Sequence, residues 1–477
     1  MAKAQSPKQS QKAVFTQGSI MRHVVNMTST GAIGLVSIFL VDVINLFYIS
    51  LLGQQELAAA IGYASTIMFF TVSVSIGFTI AATAITARAI GQGDEAAARR
   101  RASASLVYMF FLSLLVVAMI IPALPYLLDL LGAKGETKEI SLTFMQIAIP
   151  SFPLLGLGMC LSGLLRARGD AKRAMYVTLS VGCAALILDP LFIFWLDMGI
   201  NGAAIAIIFV RLFMLGVGLY FAIRVHNLIG KPRLSSFKNN LKPFMIIGIP
   251  AVLTQIATPV GNAYVTASIA EFGDDAVAGW AIVGRLMPLA FAAVFSLSGA
   301  VGPILSQNYG AKNFERVTKT MWDSLFFGLL YCVVVWLILA ISYPLIIEAF
   351  SAQEDAAKLI RFFCLFVAGS FIFNGALFVA NAAFNNLGFA IYSTVFNWGR
   401  ATLGVIPFVW IGKAWGPEGV LAGWGLGGIV FGVLSVVVCF KELKKLPQKE
   451  ALSEEQMSNI PSGNSPFTSG RGASSGS

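Results

Sequence analysis

Two carboxylates stand inside stretches that are otherwise almost wholly apolar. Asp42 lies in Leu40-Val41-Asp42-Val43-Ile44-Asn45, and Asp189 in Ile187-Leu188-Asp189-Pro190-Leu191. An ionisable group at lipid depth costs several kcal/mol unless it is paired or wet, so such groups mark sites of function. The chemistry open to them is reversible binding of a proton or another cation. Low dielectric disfavours the charged form, so a carboxylate in a cleft titrates nearer neutrality. Protonation removes the charge and lets the helix that carries it repack, whereas the ionised form favours a wetter arrangement. Coupling to a second solute then requires that proton and solute favour opposite states or compete for one site. Asn45 is three residues beyond Asp42 and extends a polar stripe on the same helix face. Pro190 lacks an N–H and presses on the carbonyl of Leu186, so a bend is expected beside Asp189. The alternative is structural: either aspartate could pair with an arginine such as Arg211 to hold helices together. Arg285 and Arg400 also fall within apolar runs, where they could line a cleft, snorkel or pair.

The elements that must position these groups follow from composition. Of 477 residues, 57% are hydrophobic and 12% charged, against about 25% charged in soluble domains. Apolar runs at 24–51, 58–86, 104–131, 139–164, 173–196, 200–225, 243–270, 277–306, 321–349, 357–384, 390–412 and 417–440 are long enough to cross a hydrocarbon core of about 30 Å. An even number of crossings places both termini on one side. Of the 33 Lys and Arg residues, 25 lie in the termini and even-numbered loops and 5 in the odd-numbered loops. That bias predicts cytoplasmic termini in a bacterial inner membrane and accounts for the net charge of +10 without a nucleic-acid partner. The first 28 residues are polar and basic, without the apolar core of a signal peptide. Asp42 and Asp189 both sit roughly 24–29 Å along their helices from the basic end, so they lie at similar heights.

The chain also repeats. Gly53 to Ala58 answers to Gly273 to Ala278, Ala89 to Gly93 to Asn308 to Lys312, Arg168-Gly169 to Leu387-Gly388, and Gly199 to Gly202 to Gly416 to Gly419. Six spans per copy give both copies one orientation, with a pseudo-twofold axis along the membrane normal, an architecture of transporters. The expected organisation is an N-terminal segment at 1–23, an N-lobe at 24–225, a linker at 226–242, a C-lobe at 243–440 and a disordered tail at 441–477. The fold class is all-α and integral to the membrane: twelve helices as two six-helix bundles around a central cleft. Acid occurs in one copy only, since Asp42 has Asn262 as counterpart and Asp189 has Ile406. Five cysteines in apolar runs read as small buried hydrophobes, not as disulfides or metal ligands. No metal-binding, nucleophile-elbow or phosphate-loop motif is present, so an enzyme or a directly ATP-driven pump is not expected.

In the order Val41-Asp42, Gly53 to Ala58, Ala89 to Asp94, Arg166 to Asp170, Leu188 to Leu191 and Gly199 to Ala204, the sequence resembles the MATE (multidrug and toxic compound extrusion) transporters over residues 20–440. Acids matching Asp42 and Asp189 resemble the DinF-like branch. The resemblance implies a monomeric secondary exporter that exchanges protons for amphipathic, cationic small molecules by alternating access, with membrane lipids as its other partners and no cofactor. Related members place Asn and Thr where this chain has Ala185 and Ile207. Losing two oxygen donors favours H⁺ over Na⁺ as the coupling ion. The alternatives are a Na⁺-coupled exporter and a lipid-linked precursor flippase of the same superfamily.

Overall fold

A computed structural model describes residues 13–50, 55–230 and 234–458, with no strand among them. Buried backbone in lipid must satisfy its own hydrogen bonds, and the chain does so with helices throughout. They are α1 (Ile20–Ser50), α2 (Gln55–Gly91), α3 (Glu95–Leu130), α4 (Gly135–Ala167), α5 (Ala171–Trp195), α6 (Gly199–Val225), α7 (Leu234–Ala270) and α8 (Asp274–Ala290 and Ala292–Gly310). After them come α9 (Phe314–Ala349), α10 (Glu354–Leu365 and Phe371–Asn386), α11 (Ala390–Gly399 and Ile406–Gly412) and α12 (Gly416–Ser458).

Ten helices or helix runs among the described residues are long and apolar enough to cross a membrane, and α8, bent by 46°, makes an eleventh. The last of the ten, Ala390–Lys449, is 60 residues long and folds back on itself at Gly416, where φ is +78°. Glycines zip this hairpin together. A Cβ on Gly412 would lie 2.1 Å from the Gly419 carbonyl oxygen, one on Gly423 2.4 Å from that of Phe408, and one on Gly427 2.1 Å from that of Gly404. Small residues one turn apart let two backbones touch, as membrane helix pairs require. The hairpin brings the crossings to twelve, as the hydropathy pattern predicts.

The repeat is visible in the irregularities as well as in the spans. α4 and α10 are each broken by a 3-10 turn, at Ile149–Ser151 and Val367–Ser370, and each resumes for 16 residues, as Phe152–Ala167 and Phe371–Asn386. α5 and α11 each contain a π turn, at Leu191–Trp195 and Arg400–Gly404. Asp94 caps α3 by accepting from the Ala97 N–H, and Asn313 caps α9 by accepting from the Arg316 N–H. Helices α1–α6 form one bundle and α7–α12 the other.

The lobes meet through α1 and α2 on one side and α7 and α8 on the other. Their hydrogen bonds concentrate at the end that carries the Lys and Arg clusters, here called the basic end. Phe15 N–H donates to Gln307 Oε1 at 3.0 Å, and Gln307 Nε2 donates to the Ala167 carbonyl at 2.7 Å. Arg316 donates to the carbonyls of Phe15, Gln17 and Gly18 at 2.9, 3.3 and 3.1 Å. Arg88 donates to the Asn386 carbonyl at 3.3 Å and lies 4.3 Å over the Tyr309 ring. Farther in, Ser296 donates to the Thr28 carbonyl at 3.1 Å. The second piece of α8 packs on α1 and α2, while the first piece, beyond the bend, leans away into its own lobe.

Two expected boundaries shift. The linker is shorter than 226–242, because α7 begins at Leu234 with polar residues that carry no hydropathy signal. The tail is not disordered from residue 441, because α12 continues as helix to Ser458. Glu442 accepts from Lys445 and Lys449 at 2.6 and 3.0 Å there, and these charged contacts support a polar helix. The remainder of the expected tail, 459–477, lies outside the described residues.

Candidate functional site

The N-lobe site forms where α1 crosses α5. Gly182 permits the approach: a Cβ there would lie 2.5 Å from Ser37 Oγ and 3.3 Å from a Val41 methyl. Val41, Ala184, Ala185 and Val210 form one small apolar cluster beside this crossing. Asp189 is one turn beyond Ala185 on the same face of α5 and only 3% exposed. Pro190 ends the regular helix, and the chain passes into the π turn at Leu191–Trp195, so the expected irregularity beside Asp189 takes that form. Asp42 and Asn45 lie on α1, immediately beyond Val41, but their side chains are outside the described residues. Ile207, on α6, sits in a different apolar cluster with Phe152, Ala203 and Tyr48.

Arg211, the arginine that could have tied down an aspartate, turns elsewhere. Its guanidinium donates to the Ala148 carbonyl at 2.9 Å and to Ser151 Oγ at 2.7 Å, filling the backbone gap where α4 breaks. This arginine is a structural plug for the 3-10 turn.

The C-lobe holds a polar seam that sequence reading passed over, apart from Arg400. Ser393, Asn397 and Arg400 recur at i, i+4 and i+7 on α11, all buried. Ser393 Oγ donates to Asn385 Oδ1 at 2.8 Å and lies 3.0 Å from Thr254 Oγ1. Asn397 Nδ2 donates to Asn381 Oδ1 at 3.0 Å, and Arg400 Nη2 donates to Thr258 Oγ1 at 3.1 Å. Three helices thus contribute facing stripes: 254 and 258 from α7, 381 and 385 from α10, and 393, 397 and 400 from α11. Each member is a weak signal alone, but the helical spacing within α11 was there to be read. Arg285, by contrast, stands exposed on the first piece of α8.

Near the basic end, Asp170 caps α5 through the Arg173 N–H and accepts from His226 Nε2 at 2.7 Å. Burial alone would raise this carboxyl, but the hydrogen bonds from His226 and Arg173 outweigh it and hold the group well below the usual carboxylate range.

Two six-helix bundles meeting at one end, with a buried acid in one and a buried polar seam in the other, have the architecture of a membrane transporter. The chain belongs to the MatE family, whose profile matches residues 32–191 and 250–411. Among its relatives is the FAD transporter of Shewanella oneidensis, 26% identical over 421 residues that cover 87% of this chain and 93% of that one. The multidrug export protein MepA of Staphylococcus aureus is 23% identical over 385 residues, covering 78% and 83%. A mutant of the Vibrio cholerae MATE transporter VcmN superposes with a TM-score of 0.84 at 24% identity, over 92% of this chain and 99% of that one. An outward-facing multidrug resistance MATE transporter does so with a TM-score of 0.86 at 19% identity, over 93% and 100%. The chain is therefore a membrane transporter and not an enzyme.

Proposed function

We propose that this protein is a proton-coupled exporter of small amphipathic molecules, resident in a bacterial inner membrane with both termini in the cytoplasm. It acts as a monomer, with no cofactor. The observation that carries the reading is Asp189, buried beside a π turn next to the crossing of α1 and α5. A carboxylate there changes charge on binding a proton, and an irregular helix has spare backbone geometry with which to respond. Asp42, one residue past that crossing, is its partner in this reading, and cationic groups on a substrate would compete with protons for the pair. Ala185 and Ile207, each set among apolar side chains, offer no side-chain oxygen to a metal ion, which supports H⁺ over Na⁺. If the basic end is cytoplasmic, the contacts that close it make this the outward-facing state. The relatives' names, FAD transporter and multidrug export protein, support small-molecule cargo.

The test is efflux from energised vesicles under an imposed pH or Na⁺ gradient, comparing wild type with Asp42→Asn and Asp189→Asn. Both variants are expected to lose pH-driven export while remaining folded. Undiminished pH-driven export in both would overturn the coupling site. Export that requires Na⁺ at clamped pH would overturn the choice of ion.

A further inference from the structure

The two lobes are opposite in charge where they are alike in shape. The crossing of α1 and α5 at Val41 and Gly182 has its counterpart in the crossing of α7 and α11, where a Cβ on Gly261 would lie 3.2 Å from Ala401. Acid accompanies the first crossing. Beside the second stands Arg400, immediately before Ala401 and only 7% exposed. Its Nη2 reaches Thr258, but its Nε, also buried, has no hydrogen-bond partner, and no carboxylate pairs with it among the described residues. The sequence offers none either: 243–270, 276–314 and 356–417 contain no Asp or Glu. A guanidinium left at lipid depth with one hydroxyl for company is under-compensated, and an anion is the group that would complete it.

A stripe of polar residues leads toward it. Gln255, Thr258 and Asn262 recur on one face of α7 at i, i+3 and i+7, all half-buried, and the Thr266 hydroxyl one turn on, toward the end opposite the basic one, accepts from Trp280 Nε1 at 2.9 Å. On the first piece of α8, Ala276, Gly279, Trp280, Val283 and Met287 face the C-lobe core. Its exposed positions beyond the first turn are Ala278, Ala281, Gly284, Arg285 and Leu289: three small residues and one cation, then a single large apolar side chain. Lipid-facing helix surfaces elsewhere in this chain carry large side chains such as Phe111, Met119, Phe326 and Ile341. The stretch from Ala278 to Arg285, small apart from its one cation, is therefore read as a wall of the cleft.

We propose that the C-lobe side of the cleft binds an anionic group, a carboxylate or phosphate, on the transported molecule. Arg400 is its buried partner, and Arg285 captures it near the mouth. The inference rests on the reading of the chain as a small-molecule exporter and deepens it. The cargo carries an anionic end toward the C-lobe, and any cationic end faces the N-lobe acids. Planar guanidinium donors suit both oxyanions, which an ammonium matches less well.

Equilibrium binding without any ion gradient separates this proposal from the coupling mechanism. Fluorescence anisotropy of carboxyfluorescein and of rhodamine 6G, two dyes of one scaffold and opposite charge, is measured on the full-length protein in nanodiscs. Wild type is expected to bind carboxyfluorescein saturably. Arg400→Gln should weaken that binding about tenfold or more, Arg400→Lys less, with rhodamine 6G unchanged within about twofold. Arg285→Gln, at an exposed position, should also weaken the anionic dye and decides the matter if Arg400→Gln does not fold. Absence of saturable carboxyfluorescein binding to wild type overturns the proposal. So does wild-type affinity for it in a folded Arg400→Gln, or in Arg285→Gln where that variant decides. Equal loss of both dyes, marking a structural role, overturns it too.

Discussion

Substituting alanine for Gly91 tests whether the basic end is a gate between lobes. Gly91 of α2 and Gly310 of α8 meet back to back. A Cβ on Gly91 would lie 2.1 Å from the Gln307 carbonyl oxygen, and one on Gly310 would lie 2.2 Å from that of Arg88. Real Cβ contacts essentially never fall below 3.0 Å, and the opposing atom is backbone, so it cannot swing aside. The helices must separate by about 1 Å, at a cost of about 1–3 kcal/mol for overpacking. Because the contact joins different lobes, that cost falls on the closed basic end and not on the folding of either bundle. At about 1.4 kcal/mol per factor of ten, the equilibrium should move roughly 5- to 150-fold toward opening at that end. The assay is electron–electron double resonance between spin labels at Lys172 and Glu315, exposed positions of opposite lobes near the basic end. Cys183, the exposed cysteine, is first replaced by serine, while the other four are buried. A longer-distance population should grow in Gly91→Ala. It should not grow in Gly62→Ala, where nothing lies within 4 Å of the added carbon. A folded Gly91→Ala protein with the wild-type distance distribution would refute the reasoning.

Arg316→Gln removes the guanidinium donors to three carbonyls of the segment before α1, so hydrogen exchange at the Phe15 amide should rise along with opening of the same label pair. Gly412→Val places side-chain bulk in a contact within one lobe, so it should lower the melting temperature in a size-exclusion stability assay without moving the inter-lobe labels. Asp170 is held below its ordinary value of 3.8, so its stabilising contribution is present above that pH and is lost only as pH falls through the lowered value. Asp170→Ala should therefore destabilise the protein at neutral pH, where the carboxylate is fully ionised, by about 0.5–2 kcal/mol for its helix cap. The pH profile of transport should keep its shape in this variant. A changed profile would place a coupling group at Asp170.

The crossings were legible because a membrane span is written as a continuous apolar run, a signal that survives in a single sequence. Their ends were less so. The first turns of α7 and the last turns of α12 are polar helix beyond the apolar stretch, held by tertiary contacts and by ion pairs such as Glu442 with Lys445. The breaks in α4 and α10 were hidden, because 3-10 turns inside apolar runs leave hydropathy unchanged. Pro190 announced an irregularity, though not that it would be a π turn. Arg211 could not be assigned a partner from sequence, since the carbonyl and hydroxyl it fills exist only where α4 breaks. Apart from Arg400, the C-lobe seam consists of Asn, Ser and Thr, residues common enough in membrane helices that only their convergence from three helices makes them a site.

The closure at the basic end also orders events in time. The Phe15 amide finds its partner on Gln307, 292 residues farther along the chain. A protein inserted from its N-terminus exposes residues 13–19 long before the end of α8 exists. The N-lobe must therefore complete its crossings while its leading segment, packed through Ala13 on Ala89 and Ile90, still lacks these hydrogen-bond partners. Only after the C-lobe's second helix has crossed do Gln307, Asn308 and Arg316 become available to receive that segment. Assembly thus passes through a stage in which the N-lobe is built and the gate has no closed position.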